Sequence, residues 1–82
     1  MANLSKVKAF VSRQIGATLI ELKEYWIQGK GFTQCLHQNS ESEIYEAITD
    51  AISKGATSFA FRIKYEQYEH DTTADFSLKE VQ

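Results

Sequence analysis

The second half of the chain contains two patterns of apolar residues with different periods, and each pattern predicts one element. Between residues 41 and 54 the apolar positions recur every three or four residues, at Ile44, Ala47, Ile48, Ala51 and Ile52. On a helix this spacing forms a single apolar stripe. Ser40 and Glu43 fit a capping box, and Gly55 suits the position that follows the last turn. We therefore predict a helix at about residues 41–54.

The residues after this helix alternate between apolar and polar side chains. The apolar ones are Phe59, Phe61, Ile63 and Tyr65. Such alternation is typical of a strand with one buried face. Weaker alternation predicts a short strand at Phe32–Leu36, opened by a Gly-Lys-Gly turn, and a last strand at Asp75–Val81 with Phe76 and Leu78 on one face. The stretch Asp71–Ala74 would then be a hairpin loop.

The first third of the chain supports more than one interpretation. Its apolar residues follow steps of three or four, at Leu4, Val7, Val11, Ile15, Leu19, Leu22 and Trp26. A helix over residues 4–28 would be ~37 Å long, more than the roughly 30 Å diameter of so small a domain. The helix could break near Gly16, residues 18–27 could be a strand pairing with 32–37, or a continuous helix could overhang and pack against a partner. We favour a helix throughout, with a bend or break at Gly16 as the next alternative.

Together these elements predict one α+β domain spanning residues 1–82. Two helices would cover one face of a small, mainly antiparallel sheet of three strands, in the order helix, strand, helix, hairpin. The N-terminal segment being partly strand is the open alternative. At 82 residues and 43% apolar content, the chain can bury one modest core.

Charge is distributed in blocks of alternating sign, although the net charge is only −2. Residues 1–31 carry +3, residues 41–50 carry −4, residues 54–64 carry +3, and the tail from Glu66 onward carries −4. This pattern predicts that oppositely charged elements lie side by side in the folded protein.

The single cysteine and the charges near the start of the sequence indicate the cellular compartment in which we expect the protein. Cys35 is the single cysteine, so no disulfide can form within the chain. Charges at Lys6, Lys8 and Arg13 interrupt any apolar block that could serve as a signal peptide. No stretch approaches the ~20 apolar residues of a membrane span. We expect a cytoplasmic protein without a membrane association.

The residues that could support catalysis lack the partners that each chemistry requires. Cys35 with His37, and His70 with Asp71, supply two potential ligands each, but a closed zinc site needs a recognisable second pair. Cys35 and a histidine could form a nucleophile and base, yet no orienting group or activating environment is evident. No glycine-rich phosphate loop is present. We predict no enzymatic activity, no metal and no cofactor.

One short segment is similar to a nucleic-acid-binding consensus. Phe59-Ala60-Phe61 matches the aromatic centre of the RNA-recognition motif, in which the rings face solvent and stack on bases. The other side of this strand is mostly polar, so Phe59 and Phe61 are needed inside. We therefore reject the match.

The remaining features predict a small binding protein that acts through protein–protein contacts, of inhibitor, immunity, phage-accessory or adaptor type. Tyrosines anchor interfaces, and charge complementarity sets specificity. Trp26 and Tyr65 are expected in the core. The candidate partner-binding residues are Tyr25, Glu41, Glu43, Glu46, Tyr68, Glu69, Asp71 and Asp75.

The alternative is a dimeric nucleic-acid-associated regulator that uses the basic N-terminal helix. Lys6, Arg13 and Lys23 could contact phosphates, but so few cations give weak affinity, and nucleic acid is the less favoured partner. A homodimer through the N-terminal helix would follow from an apolar stripe longer than one domain can cover.

Overall fold

The computed structural model describes residues 3–75. The elements are α1 (Leu4–Ile15), β1 (Thr18–Ile27), β2 (Gly31–Gln34), α2 (Glu41–Ser53), β3 (Ser58–Tyr65) and β4 (Tyr68–Asp75). Within this range the strands form one antiparallel sheet in the order β2-β1-β3-β4. The α+β class is confirmed, but the described sheet has four strands, and the predicted number of three is wrong.

The predicted continuous N-terminal helix is also wrong. α1 ends at Ile15, where Gly16 adopts the left-handed conformation with φ 62°, and β1 then pairs with β2 across the turn at residues 28–30. The strand alternative for residues 18–27 is thus confirmed. Because the helix ends so early, it has no overhang, and the argument for a dimer through this helix is lost.

Two irregularities in β1 explain why its sequence imitates a helix. The pairing of β1 with β3 shifts between Leu19 and Glu21 and again between Leu22 and Glu24. Each shift places an extra residue in β1, as a β-bulge does. Leu19, Leu22 and Tyr25, which are three residues apart, are consequently opposite the inward-facing Ile63, Phe61 and Phe59. The step from Leu19 to Leu22 therefore comes from a bulged strand, whereas Trp26, the next residue of the predicted stripe, is opposite Ser58 on the other face.

The predicted loop at residues 71–74 lies within β4, and the hairpin turn is at Glu66 and Gln67 instead. β4 contains few apolar residues because it is an edge strand with mostly exposed side chains. Apolar alternation could not reveal such a strand. Of the strand predicted at Asp75–Val81, only Asp75 is described, and Phe76 and Leu78 lie outside the described residues.

The helix predicted at 41–54 is confirmed as α2. The Ser40 side chain accepts a hydrogen bond from the Glu43 backbone N–H at 3.2 Å. The Glu43 carboxylate in turn accepts one from the backbone N–H of Asn39. The first bond satisfies a backbone N–H that a helix start would otherwise leave unpaired, and the second ties the residue before the cap to the first turn.

Residues from both helices and from the strands form one buried cluster. Its members are Val7, Phe10, Val11, Leu22, Tyr25, Ile44, Ile48, Ala51, Ile52, Ala56, Phe59, Phe61, Ile63 and Ala74. α1 contacts α2, and α2 contacts β1. We call the side of the sheet that carries Phe59 and Phe61 the inner face. Alternate strand residues point to the opposite side, the outer face, which is mostly polar.

Candidate functional site

Asp71 joins three strands on the outer face of the sheet. Its carboxylate lies 3.1 Å from the Lys23 ammonium and 3.3 Å from the Arg62 guanidinium. The hydrogen bonds from Lys23 and then Arg62 hold the pKa of Asp71 below its usual value. These contacts bring basic and acidic blocks of the sequence together, as the charge pattern predicts. Asp71 is therefore already engaged within the chain.

Two largely exposed apolar side chains lie on β2 and just beyond its end. Phe32 is 68% exposed, and Leu36, two residues beyond the end of the strand, is 91% exposed. Trp26 is directly opposite Phe32 in the pairing of β1 with β2 and is half-buried. Trp26 and Phe32 share the outer face because opposite residues of paired strands project to the same side. We call Trp26, Phe32 and Leu36 the edge patch.

The backbone of β2 is also accessible along this edge. The Cys35 N–H donates to the Lys23 carbonyl at 2.9 Å, so the hydrogen-bonding groups of Cys35 face β1. Along an antiparallel strand this direction alternates from one residue to the next. The N–H and C=O groups of Phe32 and Gln34 consequently face away from β1. β2 lies at an edge of the described sheet, so no strand of residues 3–75 pairs with this row of groups beside the edge patch.

A groove of about 500 Å³ lies between α2 and the chain from Thr33 to Gln38. The α2 residues that line it are Glu43, Glu46, Ala47 and Asp50, followed by Lys54 at the helix end, and Tyr25, Thr33, Cys35 and Leu36 line it elsewhere. The Lys54 ammonium lies 2.9 Å from the Asp50 carboxylate. The pKa of Lys54 is raised, first of all by its hydrogen bond to Asp50. The helix side of the groove is therefore acidic, with one lysine already paired.

Gln38 anchors the segment that forms the other wall of the groove. Its side-chain oxygen accepts from the Leu22 N–H at 2.7 Å, and its side-chain nitrogen donates to the Leu22 carbonyl at 3.1 Å. The same nitrogen also donates to the carbonyl of Leu36. The position of Leu36 is thus fixed by a buried hydrogen-bonding group. Sequence reasoning did not single out Gln38, because an amide carries no pattern that marks it as buried.

The structure changes the predicted roles of the aromatic residues. Tyr25, which was expected to face a partner, is only 7% exposed and lies on the inner face opposite the buried Phe59. Trp26 and Tyr65 were expected in the core, but Trp26 lies on the outer face and Tyr65 is 57% exposed. Tyr68 is 74% exposed beside the β3–β4 turn, opposite Tyr65.

The predicted acidic residues are exposed but fall into separate groups. Glu41, Glu43 and Glu46 are on α2, and the last two line the groove beside β2. Glu69, Asp71 and Asp75 are on β4, which is at the opposite edge of the sheet from β2. The two groups thus belong to different surfaces. The prediction missed Phe32 and Leu36, whose alternation was taken as the mark of an ordinary half-buried strand.

The potential reactive residues lie in unlike surroundings. Burial is the main cause that raises the pKa of the Cys35 thiol. The positive charge of Lys54 lowers this pKa, whereas the negative charges of Asp50 and Glu24 raise it. His37 Nδ1 lies 3.1 Å from a carboxylate oxygen of Glu21. Among residues 3–75 no group of three or more histidine, cysteine, aspartate or glutamate side chains could hold a metal ion. A half-buried thiol with a raised pKa forms little thiolate at neutral pH.

Phe59 and Phe61 lie on the inner face and are buried, as predicted. Their rings stack on each other with centroids 6.1 Å apart. They are not available to stack on nucleic-acid bases.

In the described part of the chain, neither helix has the length and apolarity that crossing a membrane requires. Comparison of the chain with protein-family models gives no match, and comparisons with curated proteins and with solved structures give none either.

Proposed function

We propose that this chain is a non-catalytic protein-binding module, of inhibitor, immunity, phage-accessory or adaptor type, which binds its partner at the free edge of β2. The observation that carries the proposal is the exposure of Phe32 and Leu36 beside backbone groups of β2 with which no strand among residues 3–75 pairs. Exposed apolar side chains grouped together mark interaction surfaces more often than isolated ones do. Burying a side chain of this size stabilises a complex by roughly 1.5–3 kcal/mol.

The arrangement of the helices supports this choice of surface. We infer that both helices cover the inner face, because their buried residues belong to the same cluster as Leu22, Phe59 and Phe61. A partner would then reach the sheet from its outer face or from an edge. Trp26 and Phe32 form the apolar part of that outer face next to β2.

The other edge of the sheet is less suited to such a role. β4 carries charged and polar side chains along most of its length, including Glu69, His70 and Asp71. Charged side chains on an edge strand discourage pairing with another chain. Phe32 and Leu36 give β2 no such protection, which favours it as the binding edge.

Binding of nucleic acid has less support. α1 ends at Ile15, so the basic helix is short and supplies no overhang for a dimer. Lys8 lies over the ring of Tyr45, with its ammonium 5.4 Å from the ring centroid. We also retain a cytoplasmic location as part of the proposal, on the argument from the single Cys35.

Site-specific photo-cross-linking in the native host tests the proposal. A photoreactive phenylalanine analogue is placed at Phe32 or Leu36, and at the exposed control positions Ser12 on α1 and Thr73 on β4. We expect one protein to be cross-linked from positions 32 and 36 and not from the controls. Mass spectrometry then identifies that protein.

Binding of the purified partner completes the test. Phe32→Ser and Leu36→Ser are expected to weaken it at least about tenfold, which corresponds to about 1.4 kcal/mol. Thr73→Ser is the control and should leave the affinity unchanged. Equal cross-linking from all four positions, or wild-type affinity of both edge variants, would contradict the proposal.

A further inference from the structure

We propose that the segment bound at β2 is an extended, positively charged peptide of the partner, which adds to the sheet as a further strand. This inference rests on the proposed function, since it describes the partner of the same edge. Addition of a strand takes its affinity from backbone hydrogen bonds and its specificity from alternate side chains. β2 offers both outward-facing backbone groups and different surfaces on its two sides.

The backbone requirement is met at Phe32 and Gln34. The bond from Cys35 to Lys23 fixes which residues face β1, so the N–H and C=O groups of Phe32 and Gln34 face outward. A strand placed ~4.8 Å from β2 would hydrogen-bond to both residues. β2 has four residues, Gly31–Gln34, so the added strand needs only about four to six.

The side chains of an added strand would meet two different surfaces. Those on the inner side would enter the groove beneath α2, next to Thr33 and Cys35. Those on the outer side would lie beside Phe32 and Trp26, whereas Leu36, beyond the end of β2, lines the groove. A peptide with one type of side chain at every second position, and another type between, would match both surfaces.

The charge of the groove determines which type faces inward. Glu43, Glu46 and Asp50 follow each other on α2 at steps of three and four, so they form one stripe along the groove. Lys54 is paired with Asp50, and His37 lies against Glu21. The stripe therefore keeps a negative charge that lysine or arginine side chains would complement.

The same charge argues against a second copy of this chain as the occupant. In an antiparallel pair of β2 strands, the inward-facing residues of the copy would be Thr33 and Cys35, which bring no positive charge to Glu43 and Glu46. The match between the acidic groove and its occupant would be lost. A basic segment of a different protein satisfies the backbone, the apolar patch and the groove together.

Binding of synthetic peptides to the whole chain tests this inference. The first probe is an eight-residue peptide in which lysine alternates with valine. The second has the same composition but all lysines in one half and all valines in the other. The third repeats the alternating peptide with N-methyl groups on every second amide, which remove the donors that would pair with β2. Binding is followed through the backbone amide NMR signals of the protein.

We expect the alternating peptide to bind with a dissociation constant below ~1 mM and to shift the signals of Phe32 and Gln34. The block and N-methylated peptides should bind at least about tenfold more weakly. Glu46→Gln should weaken binding about three- to tenfold, whereas Glu69→Gln on β4 is the matched control and should not change it.

Equal binding of the alternating and block peptides would overturn the inference, because it would show attraction of any polycation. So would the absence of binding to a folded protein, or an equal loss with Glu69→Gln. If sedimentation shows a dimer that Phe32→Ser dissociates, a second copy occupies the edge and the inference is wrong. Where no such dimer forms, cross-linking of a different protein from positions 32 and 36 would still support the proposed function.

Discussion

The side-chain amide of Gln38 pairs with both backbone groups of Leu22, as a neighbouring strand would. Its oxygen accepts from the Leu22 N–H at 2.7 Å and its nitrogen donates to the Leu22 carbonyl at 3.1 Å. β2 ends at Gln34, so no strand residue is opposite Leu22 on that side. Gln38 is buried, and its amide satisfies groups that are costly to leave unpaired. The arrangement also holds the segment that presents Leu36.

Replacing Gln38 by alanine is therefore expected to destabilise the fold by about 2–3 kcal/mol, since two buried backbone groups lose their partner. Urea unfolding measures this change. Gln34→Ala is the matched control, because Gln34 is exposed and its side chain donates to the Glu24 carboxylate at the surface, and it should cost under about 0.5 kcal/mol. If both variants lost a similar free energy of unfolding, the hydrogen bonds of the Gln38 amide to Leu22 would not stabilise the fold as those of a neighbouring strand do.

The two sides of the sheet predict opposite results for two phenylalanines. Phe61→Ala should destabilise the protein by about 3–5 kcal/mol, because the ring is buried in the core cluster. Phe32→Ala should change stability by less than about 0.5 kcal/mol, because the ring is largely exposed. Thermal unfolding of both variants measures the difference. A large loss with Phe32→Ala would indicate a structural role for that ring.

The ion pairs of Asp71 predict a specific dependence on pH. The folded-state pKa lies below the ordinary value of about 3.9, so the folded protein binds fewer protons than the unfolded chain near that value. The stability contributed by Asp71 is present above about pH 4 and is lost as the pH falls through the lower, folded-state pKa.

Unfolding of Asp71→Asn at neutral and at strongly acidic pH tests this dependence. The wild type should be the more stable protein at neutral pH, and the difference should shrink in acid. Asp75→Asn removes a carboxylate from the same strand and serves as the control. A difference between wild type and Asp71→Asn that stays constant with pH would show that the ion pairs do not stabilise the fold.

The surroundings of Cys35 predict slow reaction of its thiol. Burial raises its pKa, so the thiolate that attacks iodoacetamide is formed only at higher pH than in an unfolded chain, where the value is about 8.5. The rate of alkylation should therefore reach half of its maximum above that pH. The chain unfolded in guanidinium chloride is the reference. If the alkylation rate of the folded protein had its midpoint at a lower pH than that of the unfolded chain, Cys35 would be an activated cysteine. That result would favour a catalytic role for Cys35.

The elements that could be predicted from the sequence are those whose apolar residues keep one regular spacing and lie on one buried face. α2 has a single apolar stripe with its cap at Ser40, and β3 alternates through Phe59, Phe61 and Ile63. β1 could not be recognised, because its two bulges turn residues three apart to the same side. β4 could not be recognised either, because an exposed edge strand has no apolar alternation.

The candidate site was missed for a related reason. Phe32 and Leu36 alternate with polar residues in the way that a half-buried strand would. Whether such side chains are covered depends on the order of strands in the sheet, and β2 lies at its edge. Tyr25 was expected at the surface, whereas the register of β1 with β3 places it opposite Phe59 on the inner face. Periodicity describes single elements, whereas these outcomes depend on how the elements assemble.

Hydrogen exchange of the backbone amides of β2 tests the central claim most directly. In the isolated protein the N–H groups of Phe32 and Gln34 should exchange rapidly, whereas that of Thr33, which faces β1, should be protected. Addition of the purified partner identified by cross-linking should slow exchange at Phe32 and Gln34. Amides that are already protected in the isolated monomer, or that exchange equally fast in the complex, would contradict binding at the free edge of β2.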